Sequence, residues 1–307
     1  MPDIVFDIRS DAPLWVRSAR NLASSIREME PRQSERPGHT ITTLGANEFF
    51  ELAYADATRF VIDGDAKHLW GASPRPLSAG HLAIYLQGPL MGFVLRLRGV
   101  TALHASAVCI NGRAVVLCGP REAGKSTTAA ALALRGVPVL CDDIATINEK
   151  NEEFQMESGC PRICLWPDAV LDLLGSPDAL PRLIPAWEKC FLPLDGSRAR
   201  FEPNKQPVGA IYLLAPRGEQ TNAPRVEDLS SREALLELVK NTYMNWLLDR
   251  RQRAAEFNSL SKLVSQVPVR RIVPHPDPRR IGALCDLIAD DVQRLIVRTV
   301  STVVSTG

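Results

Sequence analysis

Over the first hundred positions, apolar and polar residues come in short clusters broken by polar stretches. Residues 1–30 mix short apolar runs with charges and predict a helix over Trp15 to Met29, and PRQSERPGHT (31–40) reads as a loop rich in breakers. ITTL, FFELAY and RFVIDGD, between Thr40 and Trp70, predict strands joined by short turns, with Asp63-Gly64 as a hairpin signal. GASPRPLSAG (71–80) reads as a further loop, followed by an apolar segment from His81 to Leu97. Together these predict a small α+β module over residues 1–98, leading into a main domain over 99–307.

From residue 104 the pattern sharpens. His104 to Ile110 reads as a strand, and Asn111-Gly112 as a two-residue hairpin turn. The continuous apolar run Ala114–Cys118 is the mark of a strand buried on both faces. GPREAGKS follows, then the helix-forming TTAAALALRG with Gly136 at its C-terminal end, and then a strand from Val137 to Cys141 that ends in Asp142-Asp143. Farther on, GAIYLLA (209–215) predicts another buried strand. Ser230 to Glu233 forms a capping box ahead of a helix from Ala234 to about Arg250. Helices are also predicted over Arg253–Val264 and Arg279–Leu295, while the β-branched end, VRTVSTVVSTG, reads as a tail or an edge strand.

The loop between the second strand and its helix meets the pattern G-x-x-x-x-G-K-S at Gly119, Gly124, Lys125 and Ser126. Glycines let the backbone curl so that N–H groups face a phosphate, and the following helix presents its positive end to the same anion. The nucleotide-binding loop is expected to comprise Gly119, Pro120, Arg121, Glu122, Ala123, Gly124, Lys125, Ser126 and Thr127. Lys125 would meet the β- and γ-phosphates of ATP, and Ser126 would ligate Mg²⁺. Asp142 and Asp143, at the end of the neighbouring strand, are candidates for holding the metal and for facing a nucleophile, one on each side. His104 sits on the strand paired with the one that delivers the loop.

Composition narrows the classes. With 45% hydrophobic and 23% charged residues, the 307-residue chain can bury one large core or two modest ones. A formal net charge of +1 offers no overall field to nucleic acid or to an anionic membrane, so neither is an expected partner. The N-terminal MPDIVFDIRSD is acidic where a signal peptide needs a basic start, and no apolar run reaches the length of a membrane span, so the chain reads as cytoplasmic. Seven cysteines, mostly inside apolar runs, read as reduced buried thiols; Cys160 and Cys164 have no second Cys/His pair close in sequence.

The segment LHASAVCINGRAVVLCGPREAGKSTTAAALALRGVPVLCDDIATI resembles the catalytic core of the HPr kinase/phosphorylase family in its early histidine, its glycine loop and its paired aspartates after an Arg-Gly turn. The resemblance implies an α/β fold, a P-loop kinase core of the HPr-kinase/PEP-carboxykinase-like type with a smaller N-terminal α+β module. Carried over, it makes Asp142 the base, Asp143 the metal support, His104 a neighbour that tunes Asp142, and Lys125 and Ser126 the phosphate and Mg²⁺ groups. Two features depart from the family. Arg121 and Glu122 stand where its loops commonly carry serine and glycine, and ESGCPRICLWPDAVLDLLG replaces its glycine-rich signature. The latter stretch is similar to that of the divergent lasso-peptide precursor kinases, which implies transfer to the C-terminal serine of a peptide.

Downstream, Arg162, Lys189, Arg198, Arg200 and Arg217 are scattered cations, of which Lys189, in WEKCFLPL, is the candidate for phosphate or substrate contact. The expected partner is a peptide or small protein, with a homo-oligomer left open by the resemblance. HPr or another folded carrier, a small molecule as acceptor, and a nucleotide-binding regulator without transfer activity remain the alternatives.

Overall fold

The computed structural model describes residues 4–8, 16, 23–27, 39–44, 49–54, 56–74, 79–183, 188–218 and 222–305. In chain order, the first sheet contains β1 (Val5–Ile8), β2 (Ala23–Arg27), β3 (His39–Leu44), β4 (Phe49–Tyr54), β5 (Arg59–Asp63) and β6 (His68–Ala72), arranged β1-β6-β5-β4-β3-β2. Its neighbours are antiparallel except for the β1–β6 edge pair. The Asp63 carboxylate organises the turn between β5 and β6 by accepting from the Lys67 and His68 backbone N–H groups.

Helix α1 (Ala79–Tyr85) runs through a π-type turn (Leu86–Leu90) into α2 (Met91–Leu97), and the non-helical backbone of Gly88 marks the kink between them. Phe93, Val94, Leu90 and Tyr85 close over Ile41, Leu52, Phe60, Ile62 and Leu69 of the sheet, so the apolar clusters of the sequence become one small core.

Two departures from the sequence expectations fall here. Residues 23–27 of the predicted helix Trp15–Met29 form β2 instead, because they pair with β3 from Ala23–Leu44 to Arg27–Ile41; apart from Val16, the rest of that span lies outside the described residues. His39 and Thr40 belong to β3 and Gly71 and Ala72 to β6, rather than to loops, while 31–38 and 75–78 lie outside the described residues. The apolar segment 81–97 is helical.

The second sheet is built from β7 (Ala102–Leu103), β8 (Ala105–Ile110), β9 (Arg113–Cys118), β10 (Val139–Cys141), β11 (Ala145–Lys150), β12 (Glu153–Met156), β15 (Gln206–Leu214), β16 (Arg225–Asp228) and β17 (Val269–Val273). A separate hairpin, β13 (Arg162–Leu165) with β14 (Cys190–Pro193), lies beside it. The helices are α3 (Lys125–Leu134), α4 (Pro167–Leu174), α5 (Ser231–Lys240), α6 (Arg250–Gln266) and α7 (Ile281–Ser305).

Strand alternation explains the layers. Along β9, Val115 and Leu117 face one core with Tyr212 and Leu214 of β15, under the alanines of α3 and under Leu284, Ile288 and Val292 of α7. Ala114, Val116 and Cys118 face the other core with Ile211 and Leu213, under Ala234 and Leu238 of α5 and Leu260 and Leu263 of α6. The fold is thus α/β, with helices on both faces of a mixed sheet whose β9, β15 and β17 run parallel. The glycine loop leaves the C-terminal end of β9, at the edge where ligands sit in open α/β sheets.

The predicted helix Ala234–Arg250 stops at Lys240. Asn241 takes the C-cap, and the chain then turns away to pair with β7, through the Leu103–Thr242 bridge and the bond from Tyr243 N–H to the Ala102 carbonyl at 2.8 Å. At the other end of the chain, the β-branched residues expected as a tail or strand continue α7 as helix to Ser305. Among the described residues, no helix is long and apolar enough to cross a membrane.

Candidate active site around the glycine loop

Gly119 opens the loop at φ +148°, and a Cβ built there would lie 2.6 Å from the Leu214 carbonyl oxygen, so both conformation and space demand glycine. Gly124, at φ +91°, is the N-cap of α3 and, as glycine, brings no capping side chain to the N–H groups of the first turn. Those groups, together with the helix dipole, form an anion-seeking surface at Lys125, Ser126 and Thr127. Arg121 and Glu122 point outward: Glu122 is 81% exposed and lies 3.8 Å from the Arg121 guanidinium, so its charge is turned away from the cradle and partly compensated.

The Lys125 side chain folds over this loop. Its ammonium donates to the carbonyls of Gly119 and Pro120, each at 2.9 Å, and it is largely buried. Burial pushes its pKa below the ordinary lysine value of 10.5, an effect opposed by the negative field of Asp143 and Asp142 and reinforced by Lys189. The signs give a testable pair of slopes. Between the lowered value and 10.5 the unfolded chain holds a proton that the folded chain has released, so stability without ligand should rise with pH in that window. Nucleotide affinity should fall over the same window, because the ammonium is the form that attracts phosphate. Thermal unfolding and ATP titrations across alkaline pH should show these opposite slopes, and Lys125→Met should flatten both.

Asp142 and Asp143 follow β10 but diverge. Asp142 Oδ1 accepts from the hydroxyls of Ser126 and Ser106, both at 2.7 Å, and its Oδ2 accepts from the Cys164 backbone N–H at 2.9 Å. Both of its oxygens are therefore fixed from three elements: α3, β8 and β13. Asp143 adopts a left-handed conformation, φ +73°, which turns its side chain the other way. There its Oδ1 lies 3.1 Å from His104 Nε2, with both side chains about one-third exposed. The sequence places His104 beside Asp142; the ion pair in the structure is with Asp143, because the backbone turn there brings the second carboxylate to the histidine.

His104 lies at the junction of β7 and β8, its N–H donating to the Asn241 carbonyl at 2.9 Å. The ring of Tyr243 meets its imidazole edge to face, 6.2 Å between centroids.

Lys189 precedes β14 on the hairpin that also supplies Cys164. Its ammonium lies 5.7 Å from the centroid of the partly exposed Trp166 indole, and its charge reaches Lys125. The other basic residues diverge. Arg200 donates to the Gly136 carbonyl, at the far end of α3 from the loop, and Arg198 is exposed. Arg217, after β15, donates to the His275 carbonyl, and burial holds its pKa below the usual arginine range. Arg162 sits near the Cys160 and Cys164 thiols.

The sequence reading missed Ser106, Tyr243 and Trp166. Ser106 had a signal, as the one hydroxyl inside the apolar run ASAVCI. Tyr243 had none, because the pairing that brings it to His104 joins segments far apart in the chain.

No family model matches the chain, and no curated protein matches it. Among solved structures, the HPr(Ser) kinase/phosphatase from Coxiella burnetii aligns with 66% of this chain and 96% of its own, at 16% identity and a TM-score of 0.36. That likeness is too distant to bear on either fold or activity.

Proposed function

We propose that the chain is an ATP-dependent kinase that phosphorylates a serine hydroxyl of a peptide. The observation that carries the proposal is the division of labour between two adjacent carboxylates at a glycine loop: Asp142 bound to Ser126, and Asp143 paired with His104. A loop serine and a strand-end aspartate sharing a hydrogen bond is the arrangement that holds Mg²⁺ in nucleotide-binding loops. Ser126 and Asp142 would hold the ion here, and when bound it supplies charge neutralisation across the β- and γ-phosphates.

The first turn of α3 and Lys125 cradle the phosphates and counter the charge that spreads over the transferring group. Asp143, about one-third exposed and oriented by His104, takes the proton of the acceptor hydroxyl. As that O–H bond breaks, the hydroxyl oxygen forms its bond to the γ-phosphorus. The bond from that phosphorus to the β–γ bridging oxygen breaks, and ADP leaves with the electron pair. This reverses the roles that the family resemblance gives to the two aspartates. Lys189, which lies over the Trp166 ring, would meet a phosphate or the carboxylate of a peptide end.

The resemblance of the central segment to HPr kinase/phosphorylases, and of residues 157–175 to lasso-peptide precursor kinases, supports a peptide ending in serine as the acceptor. Incubation of such a peptide with ATP, Mg²⁺ and the protein should add the mass of one phosphate, located on the terminal serine by fragmentation. Phosphate on a folded carrier but not on the peptide would move the acceptor. ATP binding by calorimetry with no transfer to either would replace the kinase with a nucleotide-binding regulator.

A further inference from the structure

The phenol ring of Tyr243 lies between the proposed proton-accepting pair and the N-terminal sheet with its helices. On one side it meets the His104 imidazole at 87° and 6.2 Å. On the other it is pressed against the backbone of Gly92 in α2: a Cβ built on that glycine would lie 2.2 Å from one ring carbon and 2.9 Å from two others. Gly92 itself is buried. The ring has little freedom to retreat, because its own backbone is pinned by the bond to Ala102, and the adjacent Thr242 is buried and bridged to Leu103. The same segment holds the histidine from below, through the Asn241 carbonyl.

Around this contact α2 is anchored to α6 of the second sheet. Arg96 makes a two-pronged ion pair with Glu256 of α6, and Gln252 donates to the Leu97 carbonyl at 3.2 Å. Met244, Trp246 and Leu247, which follow Tyr243, pack into the core of the N-terminal sheet.

We infer that Tyr243 is a positioning residue for His104, and that Gly92 of the N-terminal unit sets the position of Tyr243. A packed ring transmits displacement because it cannot compress. The N-terminal unit is thereby part of the site's geometry. The inference rests on the reading of His104 and Asp143 as the proton-accepting pair.

The test is nuclear magnetic resonance of histidine-labelled protein, together with kinetics on a serine-terminated peptide with ATP and Mg²⁺. The His104 imidazole signal is assigned by its loss in His104→Gln. It should move in Tyr243→Ala and in Gly92→Ala, which keeps the ring but pushes it. Turnover should fall about tenfold in Tyr243→Ala, with the KM for ATP unchanged, and no further fall should follow when the change is made in His104→Gln. Thermal unfolding checks that each variant folds; should Tyr243→Ala fail, Gly92→Ala carries the same comparison. An unmoved His104 signal, or equal losses with and without His104, would overturn the inference. Wild-type turnover by His104→Gln would instead defeat the proton-accepting reading, while the signal still decides whether Tyr243 holds the histidine.

Discussion

Asp143→Asn is expected to lower phosphoryl transfer by about 10²–10⁴-fold while leaving ATP and Mg²⁺ binding nearly intact. Asparagine tolerates the left-handed backbone at this position, so the turn survives, and the side chain is partly exposed, so little stability is at stake. What is lost is a group that accepts a proton. Asp142→Asn should behave differently. Its carboxylate receives three donors, and an amide in its place would turn an NH₂ toward either the Cys164 N–H or the serine hydroxyls. Facing Cys164, it would leave a donor against a donor, at a cost of about 1–3 kcal/mol. That variant should therefore melt at lower temperature and need more Mg²⁺ for any given rate. Stopped turnover, Mg²⁺-titrated rates and thermal unfolding of the two variants separate the roles. If Asp142→Asn bound ATP and Mg²⁺ normally but did not transfer, while Asp143→Asn turned over at the wild-type rate, the roles implied by the family resemblance would stand and the geometric assignment would fall.

The contrast shows which part of the site was legible in the sequence. The strand, the loop and the helix were, because each is a local pattern: a run of apolar residues, glycines where the backbone must curl, then alanines. The division between Asp142 and Asp143 was legible only as a statement that neighbours point apart. Which of them reaches His104 depends on β10 ending at Cys141 and on the left-handed turn two residues later, and nothing in the residue types dictates that. Long-range pairing defeated local pattern elsewhere as well. Residues 23–27 lie in the span predicted as a helix but become a strand because β3 offers them an edge. Likewise α5 stops at Lys240 because residues 241–243 are drawn into pairing with β7 and with the junction at His104. That interruption, unforeseen in sequence, carries Tyr243 to the histidine.

Glu256→Ala should be the most destabilising single change at the contact between α2 and α6. Arg96 is 1% exposed, and its guanidinium is satisfied by Glu256 on both terminal nitrogens and by the Val100 carbonyl at 3.0 Å. Its Nε has no hydrogen-bond partner among the described residues, so the carboxylate provides nearly all the compensation for a buried positive charge. Removing that carboxylate leaves the charge in place without its counter-charge, at an expected cost of about 3–5 kcal/mol. Replacing both partners together, as in Arg96→Met with Glu256→Leu, should recover most of the loss, because the pair's attraction is largely offset by the desolvation of two ions. Denaturant unfolding of the single and double variants measures this directly. Equal losses in both would mean that the stability comes from packing around the side-chain stems rather than from charge. The pair also bears on the site, since it holds α2 where Gly92 meets Tyr243. The double variant should therefore keep turnover if shape alone sets that contact, and Glu256→Ala should lose turnover before it loses the fold, as α2 lifts away from the ring.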